Sequence, residues 1–597
     1  MKGLDRKSKI GACSVLCACA VLAAAACAQD KPGFKDTKPA PFPEADASET
    51  ASCETVKCSL DLKKVVSGCD DQVVIEECKQ GLGCAEGKCI EDACRSAELS
   101  KGSVGCSFYA IPPPEQTYGS GQCFAAIITN TWDLPVTISA ELDQQSLDIS
   151  NSIYTAEKNG TTTIHTRLDG PLPRGAAAVV FLAEAPNAKA SGKCPRDVVP
   201  AVTDKLILDT TGRTHAIRLR TTLPVSAYSI FPYGGAPTYI PTATLLLPTS
   251  AWSTNYIAVD GWPSDEPGQR PFLQIVADED DTVVRMRPIA DIGDGVDVLG
   301  TPRDVTQSWT LSRGEVLQIT QIPQLIGSPI ESNKPVGLFG GSQCTAVPRR
   351  TCCCDTLQQQ IPPLSQWGSE YALVPYLSRL EEKTGSESSI AREKVPYRLV
   401  GAIDGTKLTY DPERPVGAPD TLSKGEAVVF TTDRVVTVRS QDDDHPFYAA
   451  VYMTGSQFNS GTGTVGDPDF VNIVPSNQFL DRYIFSTDYS YADTTLTFVR
   501  KKTSQGFEPV VLDCAGEVSG WRSLDSKGEY EFAWVRITHA FTPEKFGDSS
   551  CGYGRHEAKS NGPFSVTVWG LSKDASYGYP GGMGLRPVNT VTVPVPN

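Results

Sequence analysis

Cysteine is the residue type with the widest chemical scope in this chain of 597 residues, which contains 20 cysteines. A cysteine can carry a lipid, form a disulfide or bind a soft metal ion as a thiolate. In an acidic chain rich in glycine and proline, this number indicates export to an oxidising compartment. The disulfide candidates are Cys53, Cys58, Cys69, Cys78, Cys84, Cys89, Cys94, Cys106, Cys123, Cys194, Cys344, Cys352, Cys353, Cys354, Cys514 and Cys551.

The N-terminus predicts a signal peptide of the lipoprotein type over residues 1–26. A basic start precedes a small apolar segment that is too short to span a bilayer comfortably. Three alanines stand directly before Cys27, which resembles a bacterial lipobox, so we predict that Cys27 is lipidated and that a membrane is a partner. Cys19 is a rival lipidation site, and an ordinary cleaved signal peptide is the alternative. Residues 27–52, rich in proline, predict an extended tether.

Residues 53–99 predict a small disulfide-rich module. Cysteines are dense and apolar residues few, so a segment this short needs covalent cross-links. Zinc is disfavoured because the module has no histidine and no pair of CxxC knuckles. The connectivity stays open, because the seven cysteines of the module together with Cys106 allow 105 pairings.

A second group of cysteines lies in the following β region. Consecutive cysteines cannot all pair with one another in ordinary geometry, so we predict that Cys344 pairs with Cys354 or with a neighbour of it. A thiolate site for a soft metal is the alternative. Cys123 with Cys194, and Cys514 with Cys551, are candidates to bridge strands.

Catalytic motifs are missing from the sequence. None of the five histidines lies in a nucleophile–base phrase, and GxSxG, HExxH and Walker A patterns do not occur. The glycine-rich phrase 461–466 has the letters of a dinucleotide fingerprint but no following helix pattern, so we interpret it as a flexible loop. The acidic runs 278–281 and 442–444 lack EF-hand spacing and predict solvated turns. We therefore predict no enzyme, cofactor or metal site.

The elements that position these residues repeat along the chain. A proline followed by an apolar run recurs at intervals of 111, 111 and 117 residues, at Pro224, Pro335, Pro446 and Pro563. Self-similarity at a fixed period indicates duplicated units. We interpret each proline as the first residue of a unit's closing strand, where a missing N–H does least harm.

Two further phrases recur in the same order. The pattern P-x3-[WF]-x3-Y occurs at Pro248-Trp252-Tyr256, Pro363-Trp367-Tyr371 and Pro475-Phe479-Tyr483. Because it repeats, we predict core packing for its aromatic residues rather than a sugar-stacking surface. A turn phrase that needs a glycine with positive φ and then starts a strand occurs at Gly314, Gly425 and Gly528, with a fainter copy at Gly175.

Short β-branched and aromatic runs without sustained helical periodicity predict an all-β fold. We predict tandem antiparallel β-sandwich-like repeats, about four units of ~110 residues, preceded by the disulfide-rich module. Repeats closed into a propeller-like toroid are the alternative. The predicted β repeat domain spans 100–597, with units 100–224, 225–335, 336–446 and 447–597.

Two groups of residues resemble the IgGFc-binding protein N-terminal domain family. The first comprises Gly340, Gly341, Cys344, Cys354, Asp355, Leu357, Gln360, Pro362, Pro363, Trp367, Gly368 and Tyr371. The second comprises Asp513, Cys514, Gly528, Tyr530, Cys551, Pro563, Trp569, Ser576, Tyr579, Gly584, Arg586 and Asn589. The family usually has a histidine and a glutamate where this chain has Thr356 and Gln359. The resemblance covers about 100–597 and implies a surface or adhesion-type protein. With the cysteine-rich module before it, the chain resembles a bacterial surface lipoprotein of the myxobacterial type. It assigns no contact residues.

We therefore predict a lipid-anchored cell-surface binding or adhesion protein without catalytic activity, secreted across the inner membrane and held at the outer membrane, on its cell-surface or periplasmic face. The alternative is a structural or sensory envelope component that binds periplasmic or matrix partners. The ligand is a protein or a glycan, and the net charge of -16 disfavours nucleic acid. Binding is predicted where the units differ, at 257–270, 288–308, the Cys344–Cys354 insert, 378–395 and 454–470.

Overall fold

The computed structural model describes residues 55–59, 61–68, 73–114, 119–160, 162–264, 266, 268–351, 353–380, 392–458 and 463–596. The predicted signal peptide and tether, with Cys27, lie outside the described residues, as do Cys53, Cys69 and Cys352. These predictions therefore stay predictions.

The disulfide-rich module contains small hairpins and one helix. Its elements are β1 (Val56–Cys58), β2 (Lys64–Ser67), β3 (Val74–Glu77), β4 (Gly83–Ala85), β5 (Lys88–Ile90) and α1 (Ala93–Ser100). Disulfides join Cys58 to Cys84, Cys78 to Cys89 and Cys94 to Cys106. We did not predict α1, which begins where the Asp92 side chain accepts a hydrogen bond from the Arg95 N–H (2.9 Å). Among the described residues, no helix is long and apolar enough to cross a membrane.

The rest of the described chain is built from antiparallel strands, and this confirms the predicted all-β class. The first group is β6 (Gly105–Ala110), β7 (Phe124–Asn130), β8 (Ile138–Leu142), β9 (Gln145–Leu147), β10 (Ile153–Asn159), β11 (Thr162–Arg167), β12 (Ala177–Ala183), β13 (Gly212–His215), β14 (Ile217–Phe231) and β15 (Thr242–Leu245). The second is β16 (Ser253–Ile257), β17 (Pro271–Ala277), β18 (Thr282–Met286), β19 (Gln307–Leu311), β20 (Glu315–Thr320), β21 (Pro329–Thr345) and β22 (Asp355–Ile361).

Two further groups complete the fold. The third is β23 (Glu370–Leu373), β24 (Val395–Gly401), β25 (Thr406–Lys407), β26 (Thr409–Asp411), β27 (Thr421–Leu422), β28 (Ala427–Thr432), β29 (Val436–Arg439), β30 (Phe447–Met453) and β31 (Asp469–Asn472). The fourth is β32 (Leu480–Thr487), β33 (Asp493–Lys501), β34 (Val510–Leu512), β35 (Gly516–Glu517), β36 (Arg522–Ser523), β37 (Tyr530–His539), β38 (Thr542–Phe546), β39 (Ser549–Cys551), β40 (Gly554–Ser572) and β41 (Ala575–Pro580). Short 3-10 helices cover Ala190–Gly192, Ala236–Thr238, Thr249–Ala251, Leu364–Gln366 and Ser476–Gln478.

All four groups share one topology, in which a long strand belongs to two layers. In one layer the strand orders are β12-β7-β14-β15, β20-β17-β21-β22, β28-β24-β30-β31 and β37-β33-β40-β41. In the other layer the same long strand lies between β6 and β8, β16 and β18, or β32 and β34. In the third group this strand is split into β29, which pairs with β23 and β26, and β30. Each group is thus a two-layer unit joined by a strand that changes layer.

The prolines mark the point where the long strand changes layer. Pro224, Pro335 and Pro563 lie inside β14, β21 and β40, and only Pro446 directly precedes a strand. This differs from our prediction that every such proline opens a strand. Proline is tolerated here because the strand pairing shifts register around it, so that no regular ladder hydrogen bond is lost. By hydrogen bonding, each unit therefore extends past its proline. The four units end with β15, β22, β31 and β41.

A tyrosine hydroxyl fixes this crossing in three units. The hydroxyls of Tyr256, Tyr371 and Tyr483 donate to the carbonyl of the residue after the proline, at 2.6, 2.5 and 2.5 Å. Each hydroxyl also accepts a hydrogen bond from a backbone N–H three residues earlier. The partner aromatic residues are buried, and Trp252 and Trp367 each donate to the carbonyl five residues before them. The phrase P-x3-[WF]-x3-Y therefore belongs to the core.

Replacing Tyr371 with phenylalanine (Y371F) is expected to destabilise the third unit by about 1–3 kcal/mol, because a buried N–H and a buried C=O lose one partner. Y256F and Y483F are expected to act in the same direction. Chemical denaturation followed by tryptophan fluorescence measures the change. Y239F is the control, since Tyr239 is 48% exposed and its hydroxyl makes no hydrogen bond within the described chain. Equal stability of Y371F and Y239F would contradict the assigned role.

The turn phrase behaves as predicted. Gly175, Gly314, Gly425 and Gly528 all have positive φ, between 65° and 82°, and each precedes a strand. In the second unit the Glu315 carboxylate accepts a hydrogen bond from the Ser312 N–H, and Glu426 repeats this contact with Ser423.

Four buried strands, one from each unit, form the interior. Contacts run in cyclic order from β15 to β22, β31 and β41 and back to β15, and all four strands are fully buried. We call these strands the inner ring. Gln359 on β22 lies inside it, because its amide donates to the carbonyls of Ala243 on β15 (2.9 Å) and Gly578 on β41 (3.2 Å). A carboxylate at this position could not donate. The units are two-layered and do not form a closed propeller.

Candidate functional site

A pocket of about 390 Å³ lies at one end of the inner ring. Four of its lining residues stand just before the inner strands, one from each unit: Ile240, Cys354, Asp467 and Asp574. The other lining residues are Tyr239, Gln269, Ala346, Thr351 and Cys353. We call this cavity the insert pocket. The repeated scaffold thus brings an isoleucine, a cysteine and two aspartates to one place.

Several of the segments predicted to differ between units meet at the insert pocket. Residues 257–270 contribute Gln269, the Cys344–Cys354 insert contributes four lining residues, and 454–470 contributes Asp467. Segment 288–308 contributes none of the lining residues. Sequence reasoning missed Tyr239 and Asp574. The signal that identifies Asp574 is its position directly before β41, which corresponds to Cys354 before β22.

Disulfides hold the wall formed by the insert. Cys344 at the end of β21 bonds to Cys354 before β22, with a Cα–Cα distance of 5.2 Å, and Cys353 is also disulfide-bonded. The Thr351 hydroxyl donates to the Pro348 carbonyl (2.7 Å). These three sulfur atoms are therefore engaged in disulfides rather than held as thiolates. The remaining strand-bridging candidates also pair, Cys123 with Cys194 and Cys514 with Cys551.

Two carboxylates form the polar side of the pocket. Asp467 is 1% exposed, and its Oδ1 accepts a hydrogen bond from the Ser456 N–H (2.9 Å). The Ser456 hydroxyl donates to Oδ1 of Asp574 (2.9 Å), so one serine orients both acids. The other carboxylate oxygen of Asp467 has no hydrogen-bond partner in the part of the chain that the structure describes. It is available to a ligand.

The two acids are coupled electrostatically. Burial, with a further contribution from the neighbouring Asp574 carboxylate, raises the pKa of Asp467 to about 7, although the Ser456 N–H and the Arg379 guanidinium oppose the rise. Near neutral pH the Asp467 carboxyl group therefore exchanges its proton readily. A cation placed beside it would favour the ionised form.

A buried ion pair supports the loop that carries Asp467. Arg379 and Glu393 are each 1% exposed, and the guanidinium donates to both carboxylate oxygens at 2.6–3.2 Å. It also donates to the Thr454 carbonyl (3.1 Å) and the Val465 carbonyl (3.0 Å). The pair thus fastens the described ends of segment 378–395, at Arg379 and Glu393, to the loop before Asp467. The positive charge of Arg379 is balanced by the Glu393 carboxylate.

The pocket loop is also fixed to the hairpin that carries Asp574. The Gly466 N–H donates to the Ser572 carbonyl (2.8 Å), and the Asp574 N–H donates to the Thr464 carbonyl (2.7 Å). The Ser576 hydroxyl donates to the Asp467 carbonyl (2.6 Å). Backbone contacts from two units therefore set the separation of the two acids. Part of the glycine-rich phrase, 461–462, lies outside the described residues.

The other sequence candidates serve local structure. In the acidic run 278–281, Asp280 accepts a hydrogen bond from the Arg313 N–H, and Asp278 pairs with Arg218 at 3.0 Å. Asp442 contacts the His445 ring at 2.6 Å. None of the histidines is among the described residues that line the insert pocket.

The family comparison addresses the same part of the chain. The family model described as IgGFc binding protein matches residues 242–570, from the start of β15 to the end region of β40. The chain belongs to this family. The resemblance predicted from the motifs is thereby confirmed, and membership indicates a protein that binds a ligand.

The match includes the inner strands β15, β22 and β31, together with Asp467 and the whole Cys344–Cys354 insert. Tyr239, Ile240 and Asp574 lie just outside the matched range. No curated protein and no solved structure matches the chain. Most of the insert pocket therefore lies in the family domain, with its rim completed by flanking residues.

Proposed function

We propose that the protein is a non-catalytic binding protein of the cell surface, anchored by a lipid on Cys27, and that it binds its ligand in the insert pocket. The observation that carries the proposal is the assembly of this pocket from the ends of four inner strands in a family named for binding. The core phrases repeat in the units, whereas the pocket residues before the inner strands are not one repeated type.

The chemistry of the pocket supports binding over catalysis. Its titratable side chains are Asp467, Asp574 and Tyr239, and its sulfur atoms are in disulfides. Disulfides and backbone hydrogen bonds hold the walls, so a ligand meets a largely pre-formed cavity. Its volume falls within the usual range of small-ligand sites, about 300–1,000 Å³.

The lipid anchor is tested by labelling. Cells that express the full chain are grown with radiolabelled palmitate, and the wild-type protein is expected to carry the label and to sediment with membranes. C27A is expected to lose both, because one thioether-linked lipid and an amide-linked chain provide the attachment. C19A, at the rival site, is the matched control and is expected to keep the label. Label that persists in C27A would refute the anchor at this position.

The binding role is tested with the full-length protein on two immobilised materials, extracellular matrix polysaccharide and envelope protein from the same cells. Retention on the polysaccharide is the expected result. Retention on envelope protein alone would favour the structural or sensory alternative. Hydrolysis of either material by the purified protein would overturn the non-catalytic assignment.

A further inference from the structure

We infer that the insert pocket binds a sugar that carries a free ammonium group, a hexosamine unit of a polysaccharide. The inference rests on the proposed function and names the ligand class of its site. Three features of the pocket select this ligand: its charge, its apolar wall and an exposed aromatic side chain at its edge.

The two acids of the pocket favour a cation. Asp467 and Asp574 both line the cavity, and no described lining residue is basic. The guanidinium that acts on Asp467, that of Arg379, is paired with the Glu393 carboxylate. The Asp467 oxygen without a hydrogen-bond partner belongs to a side chain that is 1% exposed. An ammonium group offers up to three N–H donors at this point. It would bond to the free oxygen and lower the repulsion between the two carboxylates.

The apolar lining residues of the pocket suit the carbon face of a sugar ring. Ile240 and Ala346 are buried apolar residues, whereas Tyr239 lines the cavity and is 48% exposed. An exposed tyrosine ring offers a flat apolar face with a polar tip, to which the axial C–H groups of a pyranose can stack. A bare metal ion or a simple amine would leave this face unused. A volume of about 390 Å³ has room for a sugar unit.

Tyr239 also has an unfavourable backbone conformation. Its φ is 64°, in the left-handed region where a bulky residue is an outlier and glycine is usual. Such strain is retained where the side chain is needed for a reason other than stability. Phe541 provides a matched case outside the pocket, with φ 63° and 46% exposure. Substitutions at these two positions can therefore distinguish a role of Tyr239 in binding from a role in local structure alone.

The experiment uses isothermal titration calorimetry on the full-length protein at pH 6.5 with three probes: a glucosamine tetrasaccharide, its fully N-acetylated form and trilysine. We expect the glucosamine oligomer to bind at least tenfold more tightly than the other two. D467N and D574N are expected to lose at least tenfold in affinity for it. D433N, which changes an exposed acid outside the pocket, is the control and is expected to bind as wild type.

Two glycine substitutions, Y239G and F541G, test whether the Tyr239 ring contacts the ligand. Y239G is expected to lose at least fivefold in affinity while its melting temperature stays equal or rises, because the strain at φ 64° is released. F541G is expected to show the same thermal behaviour with unchanged affinity. Loss of affinity without loss of stability cannot come from misfolding.

Other outcomes overturn the inference. Equal affinity for the acetylated oligomer would show that the ammonium group is not recognised. Equal affinity for trilysine would show that the sugar ring is not recognised. Wild-type affinity in D467N would show that the ligand does not bind in the insert pocket. If no probe binds but the protein is still retained on matrix polysaccharide, the ligand class is wrong and the proposed function stands. If retention also fails, the proposed function fails with it.

Discussion

Replacing Arg379 with alanine (R379A) is expected to lower the free energy of unfolding by about 3–5 kcal/mol, because it leaves the Glu393 carboxylate buried without its counter-charge. The side chain of Glu393 is 1% exposed, and the guanidinium is its principal hydrogen-bond donor. The same variant removes the hydrogen bonds to the Thr454 and Val465 carbonyls. The loop before Asp467 is therefore expected to open in R379A.

Two controls test whether the effect of R379A comes from leaving a buried charge unpaired. In the exposed pair Arg434–Glu413 the side chains are 55% and 67% exposed, so R434A is expected to cost less than about 1 kcal/mol. The double variant R379M/E393L removes both charges and is expected to recover most of the loss, since neither buried charge remains unpaired.

Denaturant unfolding gives the free energy for these variants, and hydrogen exchange locates the opened segment. Faster exchange in R379A should concentrate in residues 454–467, because these are the residues that Arg379 holds. A chain with several units need not unfold in a single step, so exchange assigns the effect to its unit. An R379A protein as stable as R434A would contradict the role of the ion pair.

The second large effect is a pH dependence of stability that arises at Asp467. The pKa of this carboxyl group is about 7 in the folded protein because burial penalises the ionised form, against about 3.9 in an unfolded chain. Between pH 4 and pH 7 the folded state therefore binds more protons at Asp467 than the unfolded state does. The free energy of unfolding therefore falls as pH rises from about 4 to 7, by up to about 1.4 kcal/mol for each pH unit in this range, and the loss is complete above the folded pKa.

D467N removes this titration and keeps a side-chain oxygen for the Ser456 N–H. The variant is expected to be more stable than wild type by about 1–3 kcal/mol at pH 8 and equal to it at pH 4. Melting temperatures at four pH values between 4 and 8 measure the difference. The groups that face Asp467 are Asp574 and Arg379, the latter neutralised by Glu393. A difference that does not change with pH would contradict the assigned pKa.

D467N also links stability to binding. The variant is expected to gain stability at pH 8 while it loses affinity for the amino sugar. A buried acid that destabilises the fold and has a free oxygen in a pocket is the pattern of a residue kept for its ligand. A role in folding alone predicts that both quantities fall together.

The sequence alone determined those features that depend on short-range or periodic signals. The φ > 0 turns at Gly314, Gly425 and Gly528 were predicted because only glycine adopts that conformation without strain. The phrase around Trp367 and Tyr371 was predicted to be core because it repeats. The all-β class and the family also followed from local patterns. Composition indicated disulfides and the isolated cysteines of the β region indicated their partners, whereas the pairing within the disulfide-rich module needed the fold.

Only the tertiary structure decided what the repeats build. The prolines looked like strand starts, but a strand that changes layer at Pro224 is specified by partners far along the chain. Helix α1 escaped prediction because eight residues carry too little periodicity, and its stability comes from the disulfide at Cys94 and from the Asp92 cap.

The insert pocket is the clearest case. Cys354, Asp467 and Asp574 are separated by more than a hundred residues each and have no common motif. They meet because each precedes an inner strand, and the four inner strands contact one another in cyclic order. Sequence periodicity revealed the scaffold because scaffold positions are repeated. It could not reveal the site, because the site is made of the residues by which the units differ, brought together by packing between units.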